Sequence, residues 1–537
     1  MAVVFIAVAA LTAADGYAPA VEPDPNLDAL MLELSLRSGR SLPARYYQRP
    51  LDYRDIAAFF AGVIADSTIR ISEEERCRIV SALKRNGFED ALYHWQSDHD
   101  DVHIKVNVHL LGDVKPSVSD SAQLRLSGIV APSFAGNLGR LSFYSGISVW
   151  TEYRSDTLFG FPSYEPYDGI AYNLYGRSTE HSHARSSDLP HGGISYDAGR
   201  IRLDAAIDYL RNGPARYFPL TLSGTAPPMT FLRASYDLSV VNYTHVAALL
   251  KDQKDKRKFL FMHRLEGDAW KRRIHFGLNE VIVYGSTTDE PLSVHDSVLD
   301  VYRQESRSVE PEYLIPFLPF KFVEHYSGDR DNAAVSADVA LYWPKTWTLY
   351  GEFFLDDMLS PWKLFTNDWG NKWALTVGCS HAGTWREKPL SVNAEFSRVE
   401  PWVYTHFGGG SHRYSHFDKC LGSPLGPNSL GAGISSLLQI SPLHEIGFGF
   451  NLTVQDTAVR GGKITDVFQH PDPEDPLRYF DSNVKTFLGS DADWHLEPAI
   501  YWNFNSFGVF TVNAMLSVDL LENAGSVHAS FYGGLYF

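Results

Sequence analysis

From about His103 onward, apolar and polar residues alternate with a period of two. Phe510, Val512, Ala514, Leu516, Val518 and Leu520 interleave with Thr511, Asn513, Met515, Ser517 and Asp519. Phe448, Phe450, Leu452 and Val454 do the same with Gly447, Gly449, Asn451, Thr453 and Gln455, as do Trp347, Leu349, Phe353 and Leu355 with Thr348, Tyr350, Glu352 and Asp356. In Leu390, Val392, Ala394 and Phe396 the partners are Ser391, Asn393, Glu395 and Ser397. Successive side chains of a strand point to opposite faces, so each stretch predicts a strand with one apolar and one polar side. Segments about ten residues long, separated by turn residues or longer polar loops, predict a transmembrane antiparallel β-barrel with apolar-out, polar-in faces. A soluble sandwich also alternates. Roughly 24 residues per strand and connection gives on the order of 16–18 strands, wide enough for an aqueous or plugged lumen. Ser526 to Phe537 alternates too, and this last strand is expected to close on the first so that no edge is left unpaired in lipid.

Before His103 the period is 3.6. Leu27, Leu30, Met31 and Leu34, then Ile56, Phe59, Phe60 and Val63, recur at i, i+3, i+4 spacing and predict amphipathic helices. Ser72-Glu-Glu-Glu75 is a capping box expected to open a helix through Leu83, stopped at Gly87. Ala2 to Thr12 is an apolar run of signal-peptide length followed by small residues, although no basic residue precedes it. The expected organisation is a signal peptide over 1–14, a Pro-rich linker over 15–25, a small α-helical bundle or plug over 26–100, and an all-β barrel over 101–537.

Composition narrows the function classes. No apolar run approaches about 18 residues, and mean hydropathy is −0.19, which excludes a helical membrane protein but not a barrel with half its strand residues polar. The net charge of −17 and the lack of a basic stripe argue against a nucleic-acid partner. Aromatics make up 13% of residues, an enrichment that suits interfacial girdles and sugar-stacking surfaces alike. The three cysteines have no metal-ligand spacing, and neither a metal nor a cofactor is expected.

No catalytic motif is present: there is no Gly-x-Ser-x-Gly, His-Glu-x-x-His or phosphate-cradling loop. Asp329-Arg-Asp-Asn332 begins like a calcium loop but lacks the glycine and distal glutamate. Charge on the polar face of strands stands out instead. By the alternation, Arg264, Glu266, Glu352, Asp356 and Glu395 point into the lumen, either as a structural ion-pair network or as a polar surface for carbohydrate. Glu352 and Asp356 lie ~13 Å apart along one strand, too far to act together on one glycosidic bond.

Several segments carry a family likeness. Arg211-Asn-Gly-Pro214, Leu220-Thr-Leu-Ser-Gly-Thr-Ala-Pro-Pro228, His263-Arg-Leu-Glu266 and Gly277-Leu-Asn-Glu-Val-Ile-Val-Tyr-Gly285 resemble the capsule assembly Wzi family of outer-membrane proteins. Glu324 to Asn332, Leu349 to Asp357, Asp368 to Lys372 and His416 to Asn428 continue it in order, and Leu34 to Ile56 resembles the family's N-terminal helices. Two departures stand out: the family's Trp-Gly-Pro-Gly is Asn212-Gly-Pro-Ala215 here, and Ser286 to Pro311 is a long charged insertion. The resemblance implies an 18-stranded barrel in the bacterial outer membrane, plugged within, with a small helical bundle at its periplasmic end. It also implies a protein that binds capsular or extracellular polysaccharide without reacting with it; outer-membrane lipid is the other expected partner, and a monomer the expected state.

The leading expectation is therefore a non-enzymatic barrel that anchors or assembles polysaccharide; the alternative is a porin for sugars or cations, and the two differ in whether the lumen is open. The candidate polysaccharide-binding loop is Trp402 to Tyr414, where Trp402, Tyr404, His406, His412, Arg413 and Tyr414 surround the flexible Gly408-Gly-Gly410. Aromatic faces there would stack on sugar rings, and Arg413 would pair with acidic sugars.

Overall fold

A computed structural model describes residues 20–21, 25–66, 93–96, 102–156, 183–285, 308–326, 331–406, 411–469, 480–506, 510–520 and 526–536, with short breaks within some ranges and isolated positions between 71 and 80. The alternating region forms a closed antiparallel barrel of 18 strands. In chain order these are β1 (Val102–Val118), β2 (Ala122–Leu138), β3 (Leu141–Arg154), β4 (Ala184–Asp197), β5 (Ile201–Asp208) and β6 (Met229–Asp237). They continue as β7 (Val241–Lys251), β8 (Arg257–Ala269), β9 (Ile274–Gly285), β10 (Asn332–Trp343), β11 (Trp347–Asp357) and β12 (Lys372–Trp385). The last six are β13 (Lys388–Val399), β14 (Ser429–Ser441), β15 (His444–Gln455), β16 (Asp493–Ser506), β17 (Phe510–Asp519) and β18 (Ser526–Tyr536). Each strand pairs with its sequence neighbours, and β18 pairs with β1 from Val527↔Val118 to Tyr536↔His109. Closure leaves no open edge, as lipid requires. Phe537 lies outside the described residues.

The connections are unequal at the two ends. Turns such as 139–140, 386–387 and 442–443 are short, and β1 begins and β18 ends at that end. The opposite end carries 209–228, 286–331, 358–371, 400–428 and 456–492. Outer-membrane barrels place short turns in the periplasm and long loops outside, which fixes the orientation. Outward-facing Leu232, Leu278, Val335, Leu349, Ile434, Phe448 and Phe531 are exposed and form the lipid belt. Trp270, Trp343, Trp347 and Trp385 ring the short-turn end, where amphipathic rings suit the membrane–water boundary.

The N-terminal helices α1 (Pro25–Ser38) and α2 (Tyr53–Ala65) stand against the inward face of the barrel. Their buried Leu27, Leu30, Met31, Leu34, Ile56, Phe59, Phe60 and Val63 share one core with Ala135, Ala340, Tyr350 and Ala382 of the wall. The region is less uniformly helical than its periodicity suggests. Gln48–Arg49 and Leu51–Asp52 are short strands, and Tyr93–Gln96 pairs with β1 at Val106 to His103, beyond the reach of β18. Extended backbone forms there because each stretch meets another extended one, Ala20–Val21, Arg211–Asn212 or the start of β1, a tertiary circumstance that helical periodicity does not register. The helix expected from Ser72 falls mostly outside the described residues.

Candidate functional site

All five charged side chains singled out above face the lumen, but they form two different arrangements. The first is an ion-pair network. Arg264 of β8 is fully buried and grips Asp338 of β10 with two nitrogens, at 2.6 and 3.1 Å. It also donates to Glu266 at 2.8 Å and to Asn279 at 3.0 Å. This two-pronged contact with a carboxylate suits the planar guanidinium. Gly277 lies opposite Glu266 and Asp338, and a Cβ there would collide with the guanidinium, so the glycine supplies the space the arginine fills. From the N-terminal segment, Gln48 donates to Glu266 and, at 3.2 Å, to Thr244. Asp338, Asn279 and Gln48 went unrecognised in the sequence, although the alternation of β10 places Asp338 inward beside Ser336.

The second arrangement is neither of the two alternatives, an ion-pair network or a surface for carbohydrate, because its carboxylates hold backbone. Glu352 of β11 accepts the backbone N–H groups of Ala215 and Leu220, each at 2.8 Å. Glu395 of β13 accepts those of Arg216 at 2.7 Å, Tyr217 at 3.1 Å and Phe218 at 2.7 Å, together with the Tyr350 hydroxyl at 2.8 Å. Half-buried Asp356 accepts the Tyr404 N–H at 2.7 Å. Two carboxylates thus hold the irregular backbone of 215–220 inside the barrel by filling donors that would otherwise be buried unpaired. Leu210, Leu220 and Leu222 of the same loop pack against Val246, Leu260, Met262 and Phe354 on the wall. The loop reaches the N-terminal segment as well: Arg211–Asn212 pairs antiparallel with Gln48–Arg49, and Gly213 N–H donates to Tyr47 O at 3.0 Å. A plug entering from the long-loop end and one belonging to the N-terminal helices therefore join, strand to strand, inside the barrel.

Gly213 sits at φ +93°, and a Cβ there would strike the Glu352 carboxylate. Gly139, at φ +57° in a short turn, has nothing within 4 Å. Gly213→Ala is expected to lower the temperature at which the folded barrel loses its fast gel mobility, and to lower it well beyond Gly139→Ala. The second variant carries only backbone strain of about 1–3 kcal/mol, whereas the first adds a collision. Equal shifts for the two would show that the Glu352 contact contributes nothing.

The loop Trp402 to Tyr414 is at the long-loop end, but its side chains are not arranged for stacking on sugars. Trp402, Tyr404, His412, Arg413 and Tyr414 are buried, and His406 is half-buried. The Tyr404 and Tyr414 rings stack 5.6 Å apart, and their hydroxyls donate to Leu220 O and Thr221 O, each at 2.8 Å. Trp402 packs edge-on against Phe468, and Arg413 donates to Thr465 O at 3.0 Å. His406 and His412 stack at 5.3 Å. Exposed aromatic rings at this loop were the expectation; the lumen mouth is a second apolar compartment, and it absorbs them. Further along, Lys251 N–H donates to Nδ1 of buried His416 at 3.0 Å, while its Nε2 donates to Pro228 O. Burial pushes His416 down to about 3, which keeps the ring neutral in this role. Residues 407–410, with the glycine run, lie outside the described residues. Among the described residues no group of three or more His, Cys, Asp or Glu is placed to hold a metal ion.

No protein-family model matches the sequence, and no curated protein matches it either. Solved structures do resemble it in shape. One is described as Wzi, an outer-membrane protein involved in group 1 capsule assembly in Escherichia coli and a carbohydrate-binding β-barrel. The likeness to it has a TM-score of 0.56 at 11% identity, over 96% of this chain and 99% of that one. The Pseudomonas aeruginosa proteins OpdK, with vanillate, and OccK2, with glucuronate, give TM-scores of 0.43 and 0.42 at 8% identity, over 81% and 82% of this chain and 98% and 96% of theirs. The chain shares the outer-membrane barrel fold of Wzi.

Proposed function

We propose that this chain is a non-enzymatic outer-membrane barrel that binds capsular or extracellular polysaccharide and anchors or assembles it at the cell surface. The observation that carries this reading is the pairing of Gln48–Arg49 with Arg211–Asn212, which joins two plugs within the lumen. A barrel filled in this way works through its outer surface rather than through a pore. The carbohydrate-binding description of Wzi, whose fold this chain shares, supports the same direction by analogy. Glu352 and Glu395, buried carboxylates of the kind acid–base chemistry uses, are occupied by loop amides, which supports a binding role over a catalytic one. In this reading Trp402, Tyr404 and Tyr414 act from beneath, fixing the long-loop end of the barrel, where the polysaccharide rests.

Deleting the gene in the source bacterium is expected to release polysaccharide from the cells into the medium, and removing residues 404–414 to do so while the barrel still assembles. Parental levels of cell-attached polysaccharide in the full deletion would refute the anchoring role. The alternative, a porin for sugars or cations, has one observation in its favour: inward-facing Met515 of β17 is exposed, so the described plug residues leave that part of the wall uncovered. Steady conductance of the purified protein in a planar bilayer would favour the porin.

A further inference from the structure

The outer wall of β7, β8 and β9 departs from the rest of the belt. Positions that share the outward face of exposed Leu249 and Leu278 are here Tyr243 and His245 on β7, Phe259, Phe261 and His263 on β8, and Glu280, Ile282 and Tyr284 on β9. A carboxylate and two histidines on a lipid-facing wall are costly unless something covers them. Residues 308–326 do so. Tyr313, Phe320 and Val323 close over Phe259, Phe261, Ile282 and Tyr284 in one apolar cluster.

The cover is latched by polar groups of the wall. Near the long-loop end, Tyr284 Oη accepts Glu310 N–H at 2.8 Å and donates to Ser308 O at 3.3 Å. At its lowest point Tyr243 Oη accepts Phe317 N–H at 2.8 Å, with the two rings stacked 4.1 Å apart. On the return, Glu280 accepts Lys321 N–H at 2.8 Å in the short helix α3 (Phe320–Tyr326), and Phe320 stacks on His263 at 3.8 Å. Tyr284 is opposite Phe259 and Tyr243 is opposite Leu265, so the segment descends six residues of β8, ~20 Å at 3.3 Å per residue. With the strands of such a barrel tilted by roughly 35–45°, that path is about 15 Å of depth, more than half of an apolar band about 25 Å tall.

We propose that residues 308–326 are a re-entrant strap within the lipid phase, and that the strap's free face binds the acyl chains of the membrane. That face carries Leu314, Ile315, Phe317, Phe322 and Tyr326, all exposed. It continues the belt: Val335, directly opposite Glu280, and Leu278, directly opposite Leu265, are exposed at the same height. The backbone suits lipid as well. Pro311, Pro316 and Pro319 have no N–H to satisfy, and the donors of Tyr313, Ile315 and Val323 are met within the strap by Glu310 O, Glu312 O and Pro319 O. The strap also exposes Glu312, Lys321 and His325, and Lys321 is paired with Glu324 at 2.7 Å.

The test replaces Cys77, Cys379 and Cys420 with serine and introduces Phe322→Cys carrying a nitroxide, with the protein in phosphatidylcholine vesicles. Val335→Cys serves as the lipid reference and exposed Lys463→Cys as the water reference. The label at 322 is expected to match Val335→Cys, open to molecular oxygen and shielded from a water-soluble nickel relaxant. A profile matching Lys463→Cys would overturn the proposal. So would shielding from both relaxants with dipolar broadening, which would put a second copy of the chain on this face. If Phe322→Cys does not assemble, Leu314→Cys on the same face gives the same reading.

Discussion

Arg264→Ala is expected to destabilise the barrel by about 3–5 kcal/mol, because it removes the cation that two buried carboxylates, Glu266 and Asp338, surround. The cost is mainly that of the charges left behind, rather than of the lost attraction. Combining Arg264→Ala with Glu266→Gln and Asp338→Asn should therefore recover a large part of the loss. Urea unfolding of the detergent-solubilised protein, followed by the gel-mobility shift of the folded barrel, measures both. An unchanged midpoint for Arg264→Ala would mean that water reaches Glu266 and Asp338, and with it that the lumen is open at this level.

The double variant Glu352→Ala, Glu395→Ala is expected to free the plug while leaving the barrel closed. It strips the acceptors from the N–H groups of Ala215, Arg216, Tyr217, Phe218 and Leu220, and a buried amide without a partner costs about 1–3 kcal/mol. No strand pairing depends on these carboxylates, so the barrel should keep its fast gel mobility. The amides of 215–220 should lose their protection from hydrogen exchange, and conductance in a planar bilayer should rise above the parental level. Glu352→Gln keeps one acceptor oxygen but sets an amide NH2 against the second backbone N–H, so it should fall between the parental protein and the double variant. Protection unchanged in the double variant would show that packing of Leu220 and Leu222, not the carboxylates, retains the loop.

What these two variants separate was only half legible in the sequence. A strand repeats every two residues, so alternation alone sets Arg264, Glu266, Glu352 and Glu395 on one face, and the apolar residues between them define the lipid belt. Alternation says nothing about what meets those side chains. Arg264 finds Asp338 two strands away, whereas Glu352 finds the amide of Ala215, 137 positions away along the chain. Both need the same kind of side chain, an inward charge, so residue type could not tell a salt bridge from an acceptor for loop amides.

The loop Trp402 to Tyr414 teaches the same lesson from the other side. Aromatic residues around a glycine run suggest an exposed stacking surface, because in most folds a loop that long meets only water. In a wide barrel the loops have an interior of their own to fill, and the Tyr404 and Tyr414 hydroxyls end on the plug backbone instead of on a ligand. Likewise the polar outward residues His263 and Glu280 break the belt's rule on β8 and β9, and only the strap folded back over them accounts for it.

The sequence by itself determined the class of fold, the faces of its strands and the buried face of its N-terminal helices, since these follow from periodicity and from the need of each backbone group for a local or neighbouring-strand partner. Tertiary structure alone decided how the lumen is filled, which carboxylates hold backbone and which hold a cation, and where the strap lies. Those outcomes depend on contacts between segments far apart in the chain, whose meeting is set by barrel closure and by the cost of leaving a buried donor or charge unpaired.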